Sequence, residues 1–115
     1  MNLKFICNNH GLSDFKTEHG FSLFIQTDHG TILFDTGQGS SLIENAHKLN
    51  IDLSTIDTLI LSHGHYDHTG GLCHFLELNT RATIYCHRSI TIPRYSIHKD
   101  NSVHTVSTTW INRFK

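Results

Sequence analysis

The sequence predicts a mixed α/β fold, a mixed sheet with two helices packed on it, and three observations lead there. Strand-like and helix-like patterns alternate from Thr31 onward, giving the order β, ββ, α, β, α, β along the chain. A hairpin signature lies near the N-terminus. Leu59-Ile60-Leu61 is a continuous apolar run of the kind that fills a strand covered on both faces.

Taken in order, Leu3 to Cys7 is a short apolar run suited to a first strand, closed by the polar loop Asn8-Asn9-His10-Gly11. Phe21 to Gln26 alternates Phe21, Leu23 and Ile25 with Ser22, Phe24 and Gln26. Thr31 to Phe34 resumes after Thr27-Asp28-His29-Gly30, where Gly30 supplies the positive φ of a tight turn. Ser41 and Glu44 have capping-box spacing, and Leu42, Ala46 and Leu49 recur at i, i+4 and i+7. A helix is therefore expected over 41–49, its apolar stripe on the sheet. Asp57 to Ser62 is the next strand. Leu72, Phe75 and Leu76 mark a second helix over 70–78, and Ala82 to Cys86 reads as another buried strand. Past His87 the pattern weakens, and Val103 to Trp110 is assigned as a strand.

The 115 residues are 37% hydrophobic and 17% charged, with no linker, repeat or low-complexity segment, so residues 1–115 read as one unit with one modest core. Nine basic against ten acidic residues leave a net charge of -1 with neutral His, which gives no basic field for nucleic acid or anionic lipid. No apolar run is long enough to span a membrane and Met1 to Cys7 lacks a signal-peptide core, so a soluble, cytoplasmic protein is expected. Cys7, Cys73 and Cys86 are odd in number and form no CxxC pair, which argues against a disulfide framework and a thiolate zinc ribbon.

Histidine is the anomaly, with 11 residues. Most of them, His10, His19, His29, His47, His98 and His104 included, fall in polar contexts that suit solvated side chains. The segment Ser62-His63-Gly64-His65-Tyr66-Asp67-His68-Thr69 is different, because it packs three imidazoles and a carboxylate into six residues between a strand and a helix. At this chain's His and Asp frequencies the HxHxDH pattern would arise by chance roughly 0.006 times. In an extended segment His63 and His65 project to the same side and reach one metal ion, with Gly64 removing a crowding side chain. Asp67 and His68, past the bend, address a second ion nearby. Without a cation, that crowding of imidazoles has no compensation. Imidazole and carboxylate suit Zn²⁺, up to two ions, and also Fe, Mn or Ni.

Residues 61–72, together with Phe34-Asp35-Thr36-Gly37, resemble the metallo-β-lactamase superfamily. The finer pattern Glu18-His19-Gly20-Phe21-Ser22-Leu23, Ile32 to Gln38 and Tyr85-Cys86-His87 is similar to the branch that includes a synthase-like enzyme of methanopterin biosynthesis. The resemblance implies the N-terminal half of an αββα sandwich. It also implies His63 and His65 on the first metal and Asp67 and His68 on the second, with Asp67 as the catalytic residue that helps hold water. Asp35 would orient the ligand loop from behind it, a capping or turn role being its alternative, and Glu18 and His19 would lie at the rim of the site.

In that superfamily the second half supplies a third His for the first metal, an Asp bridging both, and a further His for the second. None of those motifs precedes Lys115, and His74, His87, His98 and His104 lack the family's flanking residues. The expectation is therefore a metal-dependent hydrolase-like site, acting on an ester, amide, thioester or phosphoester, or in transfer to a pterin-like substrate, once a complementing C-terminal half or another copy completes it. The alternative is a non-catalytic, truncated remnant that binds metal weakly or self-associates. An uncovered sheet face, with Leu59, Leu61 or their neighbours in water, is expected in either case.

Overall fold

A computed structural model of the chain describes residues 1–107. Strand β1 (Asn2–Cys7) pairs antiparallel with β2 (Ser22–Thr27), which pairs antiparallel with β3 (Gly30–Phe34). Gly30 opens β3 at φ 143°, the positive value the tight turn requires. Helix α1 (Leu42–Lys48) then carries the chain to β4 (Thr58–Leu61), parallel to β3. A single turn α2 (Tyr66–Thr69) and helix α3 (Leu72–Leu78) lead to β5 (Thr83–Cys86), parallel to β4. The result is one mixed sheet in the order β1-β2-β3-β4-β5.

Both helices cover the same face. Leu42 and Ala46 of α1 and Leu72 and Phe75 of α3 join one buried cluster with Phe24, Leu33, Leu59 and Leu61. The strand registers align Leu3, Phe5, Leu23, Ile25, Ile32, Phe34, Ile60 and Tyr85 on the opposite face. There Leu3, Phe5 and Tyr85 are exposed and the other five only half-buried. An uncovered face therefore exists, but it is formed by these neighbours: Leu59 and Leu61 lie inside, under the helices.

Three further expectations are corrected. β5 is exposed along its whole length rather than buried, because it is an edge strand beside β4 alone. Ser41 caps no backbone N–H of α1: its hydroxyl bonds the Cys7 thiol at 2.9 Å, and Glu44 pairs with Lys48 at 2.8 Å, so no capping box forms. In the C-terminal part, β6 (Tyr95–Ile97) and β7 (Val103–Thr105) form a separate antiparallel hairpin, of which only β7 was expected. Residues 108–110 of the predicted last strand lie outside the described residues. Among the described residues no helix is long and apolar enough to cross a membrane.

Candidate metal centre

The site grows from the C-terminal ends of the two central parallel strands. At the end of β3, Asp35 donates its N–H to the Ile60 carbonyl of β4 at 2.9 Å and turns into the left-handed region at φ 58°. Asp tolerates that conformation better than most residues, and such outliers cluster at functional sites. Its carboxylate is buried. Oδ1 accepts the Ser62 N–H at 2.8 Å; Oδ2 accepts the Ser62 hydroxyl at 2.6 Å and faces His68 Nδ1 at 2.8 Å.

These contacts assign the protons. A carboxylate only accepts, so His68 Nδ1 must carry hydrogen. Ser62 has one hydroxyl hydrogen, already given to Asp35, so its oxygen accepts from His63 Nδ1, 2.8 Å away. Both imidazoles then keep their Nε2 lone pairs for a Lewis acid. Burial, followed by the neighbouring His68 and His65 rings, pushes the His63 imidazole below its ordinary value against the pull of Asp35 and Asp67, which favours the neutral ligating form.

The second half of the motif is helical. The turn α2 leaves its last carbonyls without partners of its own, and neighbouring segments take them. Phe21 N–H bonds the Asp67 carbonyl at 3.1 Å, and Thr36 bonds the His68 carbonyl through its N–H at 2.7 Å and its hydroxyl at 3.0 Å. On the other side Tyr66 N–H reaches the Val106 carbonyl at 2.8 Å. Gly64 is required because a Cβ there would lie 2.5 Å from the Ile90 carbonyl oxygen.

The rings of His63 and His65 lie 4.7 Å apart, those of His63 and His68 4.2 Å apart, and Asp67 Oδ2 stands 3.4 Å from His68 Nε2. All four predicted ligands thus gather in one place. Ligand atoms of Asp35, His63 and His68 also fall within 4.8 Å of one another, although both Asp35 oxygens are engaged by hydrogen-bond donors. The donor chemistry fits a cation: with Nδ1 protonated, His68 turns a lone pair toward the Asp67 carboxylate, and two electron-rich atoms at that separation call for a positive charge between them.

The sequence reading missed Ser62 and the contact that His19 makes with Asp67. Ser62 read only as a strand end, though a hydroxyl directly before the first His was the available signal. His19 read as solvated, or as part of the rim; its side chain is 65% exposed, yet Nε2 lies 3.2 Å from Asp67 Oδ2. Elsewhere the rings of His98 and His104 lie 4.2 Å apart, tilted at 55°, and His87 bonds Ser89.

Comparison with known proteins follows the same segments. Residues 16–113 match the model of the metallo-beta-lactamase superfamily. The chain is 32% identical over 95 residues to an uncharacterized protein of Methanocaldococcus jannaschii, covering 82% of this chain and 37% of that one. It is 39% identical over 84 residues to the 7,8-dihydropterin-6-methyl-4-(beta-D-ribofuranosyl)-aminobenzene-5'-phosphate synthase of the same organism, covering 68% and 29%. Among solved structures it resembles Tm1679, described as a metal-dependent hydrolase of the beta-lactamase superfamily, with a TM-score of 0.71 and 29% identity over 94% of this chain and 36% of that one. The chain spans about a third of the length of these relatives.

Proposed function

The chain belongs to the metallo-β-lactamase superfamily, its sheet and helices matching the N-terminal half of that fold, and from this premise we propose that residues 63–68 are one flank of a dinuclear zinc centre in a hydrolase-type site. His63 and His65 hold the first ion, and Asp67 and His68 the second; Fe, Mn or Ni satisfy the same donors. A bound divalent cation acidifies water and polarises the carbonyl or phosphoryl oxygen it touches. This chain's own residues do the rest. Asp35 and Ser62 fix the tautomers of His68 and His63, and Asp67 holds water in line with an ester, amide, thioester or phosphoester substrate. The likeness to the dihydropterin synthase supports a pterin-linked transfer as the alternative reaction at the same site.

The observation that carries this reading is the shared anchoring of two imidazoles, one directly and one through Ser62, on one buried carboxylate, which leaves the Nε2 lone pairs free on two rings 4.2 Å apart. The remaining ligands come from a complementing segment that covers the open sheet face. That face also favours a second reading, in which the chain alone self-associates and binds metal weakly.

Elemental analysis of the isolated chain after zinc loading tests both. Bound zinc below two ions per chain, lost in His65→Ala, is the expected result. A chain that takes up no zinc contradicts the metal reading. Turnover of a generic phosphodiester or lactone that His65→Ala abolishes decides for the enzyme over the inert, self-associating form.

A further inference from the structure

We propose that His19 is the positioning residue of the Asp67 carboxylate, held in one tautomer by Asn9 so that its Nε2–H fixes which Asp67 lone pair faces the metal. The inference rests on the metal-centre reading and deepens it. The loop that carries His19 is built rather than loose. The Glu18 carboxylate accepts from Gln38 N–H at 2.8 Å and from the Ser40 hydroxyl at 2.5 Å, and the His19 carbonyl accepts from the Gln38 side chain at 2.6 Å. Gly20, at φ 149°, lies so close to the ligand turn that a Cβ would collide with the Asp67 carbonyl oxygen.

Within that loop the hydrogen bonds run in one direction. Gly20 N–H donates to Asn9 Oδ1 at 3.0 Å, which leaves the Asn9 amide nitrogen to face His19 Nδ1 at 3.3 Å. An amide nitrogen only donates, so Nδ1 must accept, and in the neutral ring the hydrogen belongs on Nε2. Nε2 points at Asp67 Oδ2, 3.2 Å away, the same oxygen that faces His68 Nε2 at 3.4 Å. A carboxylate anchored in this way presents a defined lone pair to a cation. Such outer hydrogen-bond partners are worth about 10–100-fold in metal affinity. His19 and Asn9 also line a shallow cavity of about 350 Å³ that opens beside Asp67 and His68, so the relay stands in the wall a substrate would meet.

Zn²⁺ titration against a chromophoric chelator tests the proposal on wild type, His19→Ala, His19→Gln and Asn9→Ala, with nitrogen-correlated NMR of the histidine rings. His19→Ala should weaken Zn²⁺ binding about 10–100-fold without changing the melting temperature. His19→Gln, whose amide also donates, should restore most of the loss, and Asn9→Ala should fall between. The metal-free wild type should show His19 as the Nε2–H tautomer. An Nδ1–H tautomer, or an His19→Ala affinity equal to wild type, overturns the role of His19 alone. A wild type that binds no Zn²⁺ overturns the metal reading with it.

Discussion

The two faces of the sheet bring similar side chains to opposite ends of the exposure scale. Leu33 and Leu59 on the helix side are 0% exposed, whereas Leu3 and Phe5 on the far side are 53% and 59% exposed. The difference teaches that an apolar strand records the presence of a covering layer and not its source. On one face α1 and α3 provide that layer; on the other, nothing among the described residues does. The 63–68 loop follows β4 at one end of the sheet. Its anchor, Asp35, is buried at the end of β3. Its outer ring, His68, stacks on Phe21 at 6.4 Å, and Phe21 in turn meets Phe5 and Phe34 of the open face at 5.9 and 6.2 Å.

The largest effect should separate the faces directly. Leu59→Ala should cost about 2–5 kcal/mol of unfolding free energy by denaturant titration. Leu3→Ala should cost about 0.5 kcal/mol or less, as surface positions do. Equal losses at both sites would mean that the open face is covered.

The anchor of the loop comes next. Asp35→Asn retains a residue tolerant of positive φ but has one acceptor oxygen in place of two, so the Ser62 N–H, the Ser62 hydroxyl and His68 Nδ1–H can no longer all be accepted. It should lower stability by about 1–3 kcal/mol and reduce zinc affinity about 10–100-fold, both read from one preparation by denaturation and chelator competition.

The smallest effect belongs to the covered side, at Cys7. Burial, then its hydrogen bond to Glu18, pushes the thiol from 9.0 up to about 12. The folded state therefore keeps a proton that the unfolded chain releases, so this contribution is intact below pH 9 and is lost as pH rises from 9 toward 12. Burial opposes ionisation of Glu18, but hydrogen bonds from Cys7, Ser40, Gln38 and Ser41 outweigh it and hold the carboxyl below 4.5. Its contribution is present above that value and lost as pH falls below it. Cys7→Ala should flatten the alkaline limb of a stability-pH curve relative to wild type; an unchanged limb would refute the assignment.

Much of this was legible in the sequence, for physical reasons that also mark where legibility stopped. The hairpin, both principal helices and β1 to β5 followed from periodicity and lie within a few residues of their expected places, because local patterns report local structure. The gathering of His63, His65, Asp67 and His68 was legible because these residues are adjacent in sequence. Burial was not: Ala82 to Cys86 is as apolar as a buried strand, but its place at the sheet edge is set by pairing order, which no local window contains. The role of Ser41 was likewise misread, because Cys7, 34 residues away, claims its hydroxyl. His19 lies 48 residues before Asp67 (67 less 19), and only the fold closes that gap.

Anomalous X-ray diffraction at the zinc edge from crystals soaked in Zn²⁺ tests the central claim most directly. The account predicts an anomalous peak at coordinating distance, about 2.0–2.1 Å, from imidazole nitrogens of the 63–68 loop, with His63 and His68 still anchored through Ser62 and Asp35. Imidazoles splayed apart, with no anomalous density between them and Asp67, would contradict it.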